Sequence, residues 1–334
     1  MIVDLMADDM HRRTGLELAL AFLGMPLVGR AQSARLFKLG WVTSKPIDAK
    51  DALWAAFSTG MRELGWVEGR DFVIENLYFD GRSERLPEIA KAAVQRKADL
   101  ILSSGRLPAL AAREVAPSIP IVFYAVGDPV RDSLVASLSR PGGRITGLGG
   151  LLGGISGKML ELLTEAAPMA TRIALLTDPA LDQLAESEAE TKALAQQLNV
   201  MLTTIPLRSP DGLDSAFAAI GRDKPDALLI WAQPFLFAKA GRLAQLAIDH
   251  RLPAIVPFEE VAEAGLLMSF GARLLDQVRR LPYYVDRILK GADPGALPVE
   301  QPSRFYLTLN LRTAKTIGLV FPPSILQRAH RLIE

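Results

Sequence analysis

Two segments of this chain carry the same order of features, and a duplicated unit narrows the available folds more than composition does. Lys97–Asp128 reads KADLILSSGRLPALAAREVAPSIPIVFYAVGD, and Lys224–Glu259 reads KPDALLIWAQPFLFAKAGRLAQLAIDHRLPAIVPFE. Each begins Lys-x-Asp, runs through an apolar segment, carries a Pro shortly after it, and closes on a Pro, an apolar pair and a Phe. The likeness extends upstream. Asp51–Gly65 (helix), Asp71–Phe79 (strand) and Ser83–Arg96 (helix) precede the first copy, and Glu186–Leu198, Val200–Leu207 and Asp211–Arg222 precede the second in the same order. Leu36–Thr43 and Arg172–Thr177 supply the opening strands. The chain therefore reads as two similar lobes, each strand-helix-strand-helix-strand-helix-strand.

Alternation of strands with helices implies right-handed crossovers and parallel sheets. Leu36–Val42 is a continuous apolar run, as a strand buried on both faces requires. Asp51–Leu64 places Leu53, Trp54, Phe57, Met61 and Leu64 on one helical face, with Gly65 as the stop. The expected fold is α/β, two Rossmann-like lobes with parallel sheets joined by a three-crossover hinge. Ligands of such sheets lie beyond the carboxyl ends of the strands. That rule selects the loops Thr43–Pro46, Ser103–Leu107, Ala125–Pro129, Asp178–Asp182, Trp231–Phe235 and Pro257–Glu260.

Three stretches join the lobes. Arg140–Gly154 (RPGGRITGLGGLLGG) is Gly-rich around the short strand Ile145–Leu148 and suits a connector that changes angle. Leu266–Gly271 is the second, followed by the long helix Arg273–Lys290, and Glu300–Arg304 is the third. The division expected is a leader over 1–33, a first lobe of 34–147 with 272–300, and a second lobe of 148–271 with 301–334. A length of 334 residues suits two such units.

His11-Arg12-Arg13, the apolar Leu16–Val28 and the small residues around Ala31 have the order of a secretory leader, with an apolar core too short to span a bilayer. Met1–Asp9 carries three Asp and no basic residue, which fits a leader badly and points to Met10 as the start. The expected location is the periplasm, by a cleavable signal peptide. No cysteine is present, which removes disulfides, thiolate chemistry and a lipid anchor on an N-terminal Cys. A net charge of +1 without a basic run implies no nucleic-acid partner.

Enzyme signatures are missing. The three His, at 11, 250 and 330, have no metal-ligand spacing, and no GxSxG, P-loop or strand-linked GxGxxG occurs. A two-lobed cytosolic enzyme of racemase or glycosyltransferase type would want paired acid and base groups or a nucleotide loop. A ligand-sensing repressor would carry a helix-turn-helix where the leader stands. A binder with no catalytic residue, cofactor or metal is the expectation.

The runs LWAAFSTGMRELGWVEGRDFVIE, RLPEIAKAAVQRKADLILSSG, IPIVFYAVGDPVRDSLVASLSRPGGRITG, GKMLELLTEAAP, HRLPAIVPFEEVAEAGLLMSFG and ADPGALPVEQPSRFYLTLNLRTAKTIGLVFPPSIL together resemble the ABC-transporter substrate-binding proteins of the tryptophan/tyrosine-binding type. The resemblance implies a type I periplasmic-binding-protein fold, a monomer that closes on a small-molecule ligand, and delivery to an ABC permease in the membrane. Two loops depart from the family pattern. Gly105-Arg106-Leu107-Pro108 stands where Gly-Thr-Pro-Ala is frequent, and Asp178-Pro179-Ala180-Leu181 where Asn-Pro-Ala-Asn is frequent.

For an amino-acid ligand the cleft needs donors, a counter-ion for the ammonium, and a side-chain pocket. Ser104 and Gly105 open a helix, whose free N–H groups with nearby hydroxyls suit an anion or else form a simple cap. Thr43 and Ser44 add hydroxyls. Asp128 and Asp178 are ammonium partners or helix caps. Trp231 stacks on a flat ligand or fills core. Glu259 and Glu260 follow Phe258 at the end of the second copy and offer the ligand another charge. Arg106 offers a bidentate partner to an acidic ligand.

Overall fold

The computed structural model describes residues 35–48, 50–149, 155–177, 185–231 and 236–334. The expected leader, the end of the Gly-rich connector, the loop holding Asp178 and residues 232–235 lie outside the described residues.

The first lobe is built on β1 (Phe37–Thr43), α1 (Ala52–Glu63), β2 (Phe72–Tyr78), α2 (Leu86–Gln95), β3 (Leu100–Ser104), α3 (Arg106–Val115), β4 (Ile121–Val126) and β5 (Ile145–Gly149). Its five strands are all parallel, in the order β2-β1-β3-β4-β5. Alternate side chains of each strand enter two cores, as the pleat requires. Leu39, Trp41, Leu100, Leu102, Val122 and Tyr124 face α1. Val42, Ile101, Ile121 and Phe123 face α2 and α3.

The second lobe follows with α4 (Ile155–Ala166), β6 (Arg172–Thr177), α5 (Ala185–Gln197), β7 (Met201–Pro206), α6 (Leu213–Asp223), β8 (Ala227–Ile230), α7 (Leu236–Asp249), β9 (Ala254–Val256), α8 (Glu259–Glu263) and β10 (Met268–Gly271). α9 (Leu274–Leu289) then returns to the first lobe, packing on α1 and β4. β11 (Tyr306–Asn310), α10 (Leu311–Ile317), α11 (Pro323–Arg328) and β12 (Arg331–Ile333) finish the second. Its sheet runs β12-β11-β10-β9-β8-β6-β7, and β10 pairs antiparallel with β11.

Where the chain passes between lobes, the glycines do something other than permit rotation. Gly147 has φ 151°, and a Cβ there would lie 2.0 Å from the Phe123 carbonyl oxygen. A Cβ on Gly271 would meet the Pro257 oxygen at the same distance. Both are glycine because the backbone beside a neighbouring strand lies where a side chain would begin. Two of the passages are bonded to each other, Glu300 N–H donating to Gly147 O (3.1 Å) and Gly149 N–H to Glu300 O (3.0 Å). Arg280 of α9 clamps the same Glu300 with a two-pronged hydrogen bond at 2.7 and 2.8 Å.

Candidate functional site

A cavity of about 770 Å³ lies where the carboxyl ends of β1, β3 and β4 face α7 and α8 of the other lobe. Thr43, Ser44, Lys45, Ser104 and Tyr124 line it from the first sheet, and Asp51 and Leu53 from the start of α1. Phe237, Ala240 and Gly241 of α7, with Glu259, Glu260 and Glu263 of α8, line the opposite wall. Arg273 just before α9, Asp276 and Arg279 within it, and Arg331 of β12 add the remaining charged side chains of the described lining.

A buried relay forms the floor. Trp41 Nε1–H donates to the Tyr124 hydroxyl at 2.9 Å, and Tyr124 also bonds the Ser104 hydroxyl. Both aromatic side chains are shut off from water. Burial pushes the Tyr124 phenol up to about 12, against the opposing effect of its bonds to Ser104 and Trp41. An indole N–H only donates, so Tyr124 accepts from Trp41, while its bond with Ser104 joins two hydroxyls of which either can donate. Beside it the backbone of β4 shifts register against β5, and Ala125 adopts φ 55°, its N–H held at 2.8 Å by Gln277 Oε1 of α9.

On the opposite wall three carboxylates share one turn but not one fate. Glu259 accepts from Arg273 Nε at 2.6 Å and from Arg331 at 2.8 Å, and Arg331 also pairs with Glu263. Burial pushes the Glu259 carboxyl up, but the hydrogen bonds from Arg331 and Arg273 outweigh it and hold the group below the usual carboxylate range. Glu260 has neither arginine. Burial, reinforced by the charges of Glu263 and Glu259, pushes its carboxyl up to about 7, while a bond from its own backbone N–H and the charge of Lys45 across the gap oppose the rise. Asp276 pairs with Arg279 at 3.3 Å, and Asp51 caps α1 by accepting from Leu53 N–H at 2.8 Å.

Of the residues the sequence nominated, Thr43, Ser44, Ser104 and Glu259 line this cavity together. Thr43 is not a free donor, because its hydroxyl donates to Lys45 O at 2.6 Å. Gly105 starts α3 with φ 93°, and its N–H is taken by Tyr124 O at 2.8 Å. Arg106 turns away to Asp132, Nε lying 3.1 Å from Oδ1. Burial pushes that Asp132 up to about 6 despite the guanidinium. Asp128 caps the following turn, accepting from Val130 and Arg131 N–H at 3.0 Å. Trp231 is buried in the second lobe's core with Leu229 and Ile255. Phe258 sits behind the wall with its ring 4.5 Å from that of Phe237. Asp178 lies outside the described residues. Sequence reading missed Tyr124, Phe237, Arg273 and Arg331, and reached Lys45 only as part of the loop Thr43–Pro46. Of these only Tyr124 carried a signal, as a polar aromatic ending a buried strand.

Among the described residues no three His, Asp or Glu side chains group as a metal site requires, and no helix is long and apolar enough to cross a membrane. Comparison with known proteins gives a consistent result. Residues 46–333 match the model of a family described as ABC transporter substrate binding protein. A tyrosine-binding protein of Clostridioides difficile is 23% identical over 269 residues, covering 79% of this chain and 75% of that protein. A conserved domain protein of Vibrio cholerae superposes with a TM-score of 0.80 at 24% identity, covering 89% of this chain and 100% of that one. The ABC domain of Streptococcus pneumoniae in complex with L-Trp superposes with 0.79 at 21% identity, covering 90% and 100%. These likenesses extend to both lobes.

Proposed function

Because the chain belongs to the ABC transporter substrate-binding protein family, we propose that its interlobe cavity captures an amino acid, aromatic or otherwise, or a related small organic acid, and hands it to an ABC permease. The observation that carries this reading is a cavity of about 770 Å³ whose polar groups come from both lobes, Ser44 and Ser104 on one wall and the α8 carboxylates on the other. A solute touching both walls binds the closed arrangement more tightly than the open one and shifts the population toward it. The relatives named for tyrosine and solved with L-Trp support an aromatic amino acid, and Phe237 and Leu53 supply apolar surface beside the polar groups.

The lobes that close are 34–147 with 272–300 and 148–271 with 301–334, and the members of the sequence-nominated ligand set that line the cavity are Thr43, Ser44, Ser104 and Glu259. Capture and release, without turnover, is the role. The protein acts outside the cytoplasm, as the family does; we place it in the periplasm as a monomer, exported on a cleaved leader, not lipid-anchored, and without a nucleic-acid partner. A thermal-shift screen against the twenty amino acids and simple aromatic acids tests the reading. A ligand at 100 times its Kd stabilises by about 2.7 kcal/mol, which moves the melting point by several degrees. A flat response to the whole panel would refute it.

A further inference from the structure

The cavity's ion pairs leave one carboxyl on the second lobe and one ammonium on the first without a salt-bridge partner. Its described charged lining residues are Asp51, Glu259, Glu260, Glu263 and Asp276 against Lys45, Arg273, Arg279 and Arg331. Asp276 and Arg279 satisfy each other, Arg273 and Arg331 are spent on Glu259 and Glu263, and Asp51 serves the helix it caps. Among the described residues, Glu260 has no ion pair and no hydrogen-bonded partner beyond its own backbone N–H, and Lys45 has no ion pair. The two face each other from opposite lobes across the cavity.

Ser104 has the complementary character. Its hydroxyl lines the facing wall together with that of Ser44, and a hydroxyl can donate to an anion. A pocket with donors on one wall and an uncompensated carboxyl on the other is matched by a molecule carrying both charges. We infer that Glu260 is the specificity-determining residue of this cavity, selecting a ligand with a positively charged nitrogen, while Ser104 takes the ligand's anionic end on the facing lobe. This rests on the amino-acid reading above and divides its two options, favouring the zwitterion over the simple organic acid.

The arrangement also links binding to protons. Every group facing Glu260 is accounted for: Glu259 and Glu263 from its own helix, Lys45 from the loop after β1, and the two arginines from the segment before α9 and from β12. Burial and the neighbouring carboxylates disfavour its charged form, its own backbone N–H and Lys45 favour it, and with the carboxyl pushed up to about 7 it is largely protonated below neutral pH. An ammonium set against it favours the carboxylate, so Glu260 gives its proton to buffer as the ligand enters.

The test is calorimetry on the purified full chain and its Glu260→Gln variant. The probes are L-tryptophan, L-tyrosine, L-phenylalanine and L-leucine, each beside its deaminated acid (indole-3-propionate, 3-(4-hydroxyphenyl)propionate, 3-phenylpropionate, 4-methylpentanoate). The wild type is expected to prefer the best amino acid over its deaminated acid by about 100-fold. In Glu260→Gln that preference falls to within about fivefold, mainly by a loss of about 10- to 100-fold in amino-acid affinity, the span of a charge-assisted hydrogen bond. Heats in two buffers of different ionisation enthalpy at pH 6 report net proton release by the wild type and none by the variant. If the wild type binds an amino acid and Glu260→Gln keeps the discrimination, the inference about Glu260 is overturned while the family role stands. If the wild type binds a deaminated acid as tightly as its amino acid, the zwitterion assignment is overturned. If it binds none of the eight probes, the amino-acid reading falls and takes the inference with it. The conservative Glu260→Asp is expected to recover part of the preference, which a merely structural role for the carboxyl would not produce.

Discussion

Removing one oxygen, with Tyr124→Phe, isolates the relay under the cavity. The ring stays, and with it the edge contact to Trp41 at 6.4 Å between centroids. What is lost is the 2.9 Å bond from Trp41 Nε1–H, in a place where Trp41 is fully buried and no solvent can replace the acceptor. A buried donor left without a partner costs about 1–3 kcal/mol, partly offset because the phenol no longer has to be desolvated, so a net loss of roughly 1–2 kcal/mol is expected. For a chain of this size that lowers the melting point by about 2–6 °C. Thermal unfolding followed by circular dichroism reads it, with Trp41→Phe and the double variant completing a cycle whose coupling is expected near 1 kcal/mol. The same substitution frees the Ser104 hydroxyl to rotate, so ligand affinity falls as well. If Tyr124→Phe melts within about 0.5 °C of the wild type, the oxygen is not satisfying Trp41.

Other consequences are as direct. Gly147→Ala would drive a methyl into the Phe123 carbonyl at 2.0 Å and demand a φ of 151°, so failure to accumulate folded protein is expected on expression, whereas a soluble, normally melting variant would contradict the close approach of the two strands. For Glu260 the folded value of about 7 exceeds the unfolded 4.5, so the native state holds the proton more tightly and unliganded stability falls as pH rises through that interval. At about 1.4 kcal/mol per pH unit, and discounting for partial exposure, Glu260→Gln should recover roughly 1–2 kcal/mol at pH 8 and nothing at pH 4, as read by urea titration at both values. Glu259 has the opposite sign: its carboxyl is depressed, its contribution is present above 4.5 and lost as pH falls below it, and Glu259→Gln should cost about 1–2 kcal/mol at neutral pH while flattening the acid limb. Arg82 meets Asp211 at 2.9 Å from lobe to lobe, both exposed, so Arg82→Ala should weaken ligand binding no more than about threefold, with the effect gone at high salt.

The sheets were legible because strands buried on both faces of a parallel sheet must be apolar runs, and the duplicated order of such runs leaves little freedom in topology. The rule that ligands gather beyond the carboxyl ends of strands located Thr43, Ser44 and Ser104 for the same reason. Arg106 shows where such reading stops. A cation after a strand looks available to a ligand, but whether it is free depends on Asp132, which arrives through the turn after β4. Trp231 follows the strand pleat: Ile230 enters the core under α6 and α7, and Trp231 falls with Leu229 into the opposite one. Arg331 reaches Glu259 only because β12 pairs with β11 at the far edge of the sheet, a relation with no local trace. Glycine in the connectors was ambiguous, since freedom to rotate and the need for close backbone contact select the same residue, and coordinates at Gly147 and Gly271 distinguish them.

The proposed function requires two lobes that close on a small solute held between β1, β3 and β4 on one side and α7 and α8 on the other. Small-angle X-ray scattering on the full chain, before and after saturation with whichever of the eight calorimetric probes binds, measures this. A smaller radius of gyration and a shorter maximum dimension with that probe are the expected result; identical scattering curves at full occupancy would contradict it.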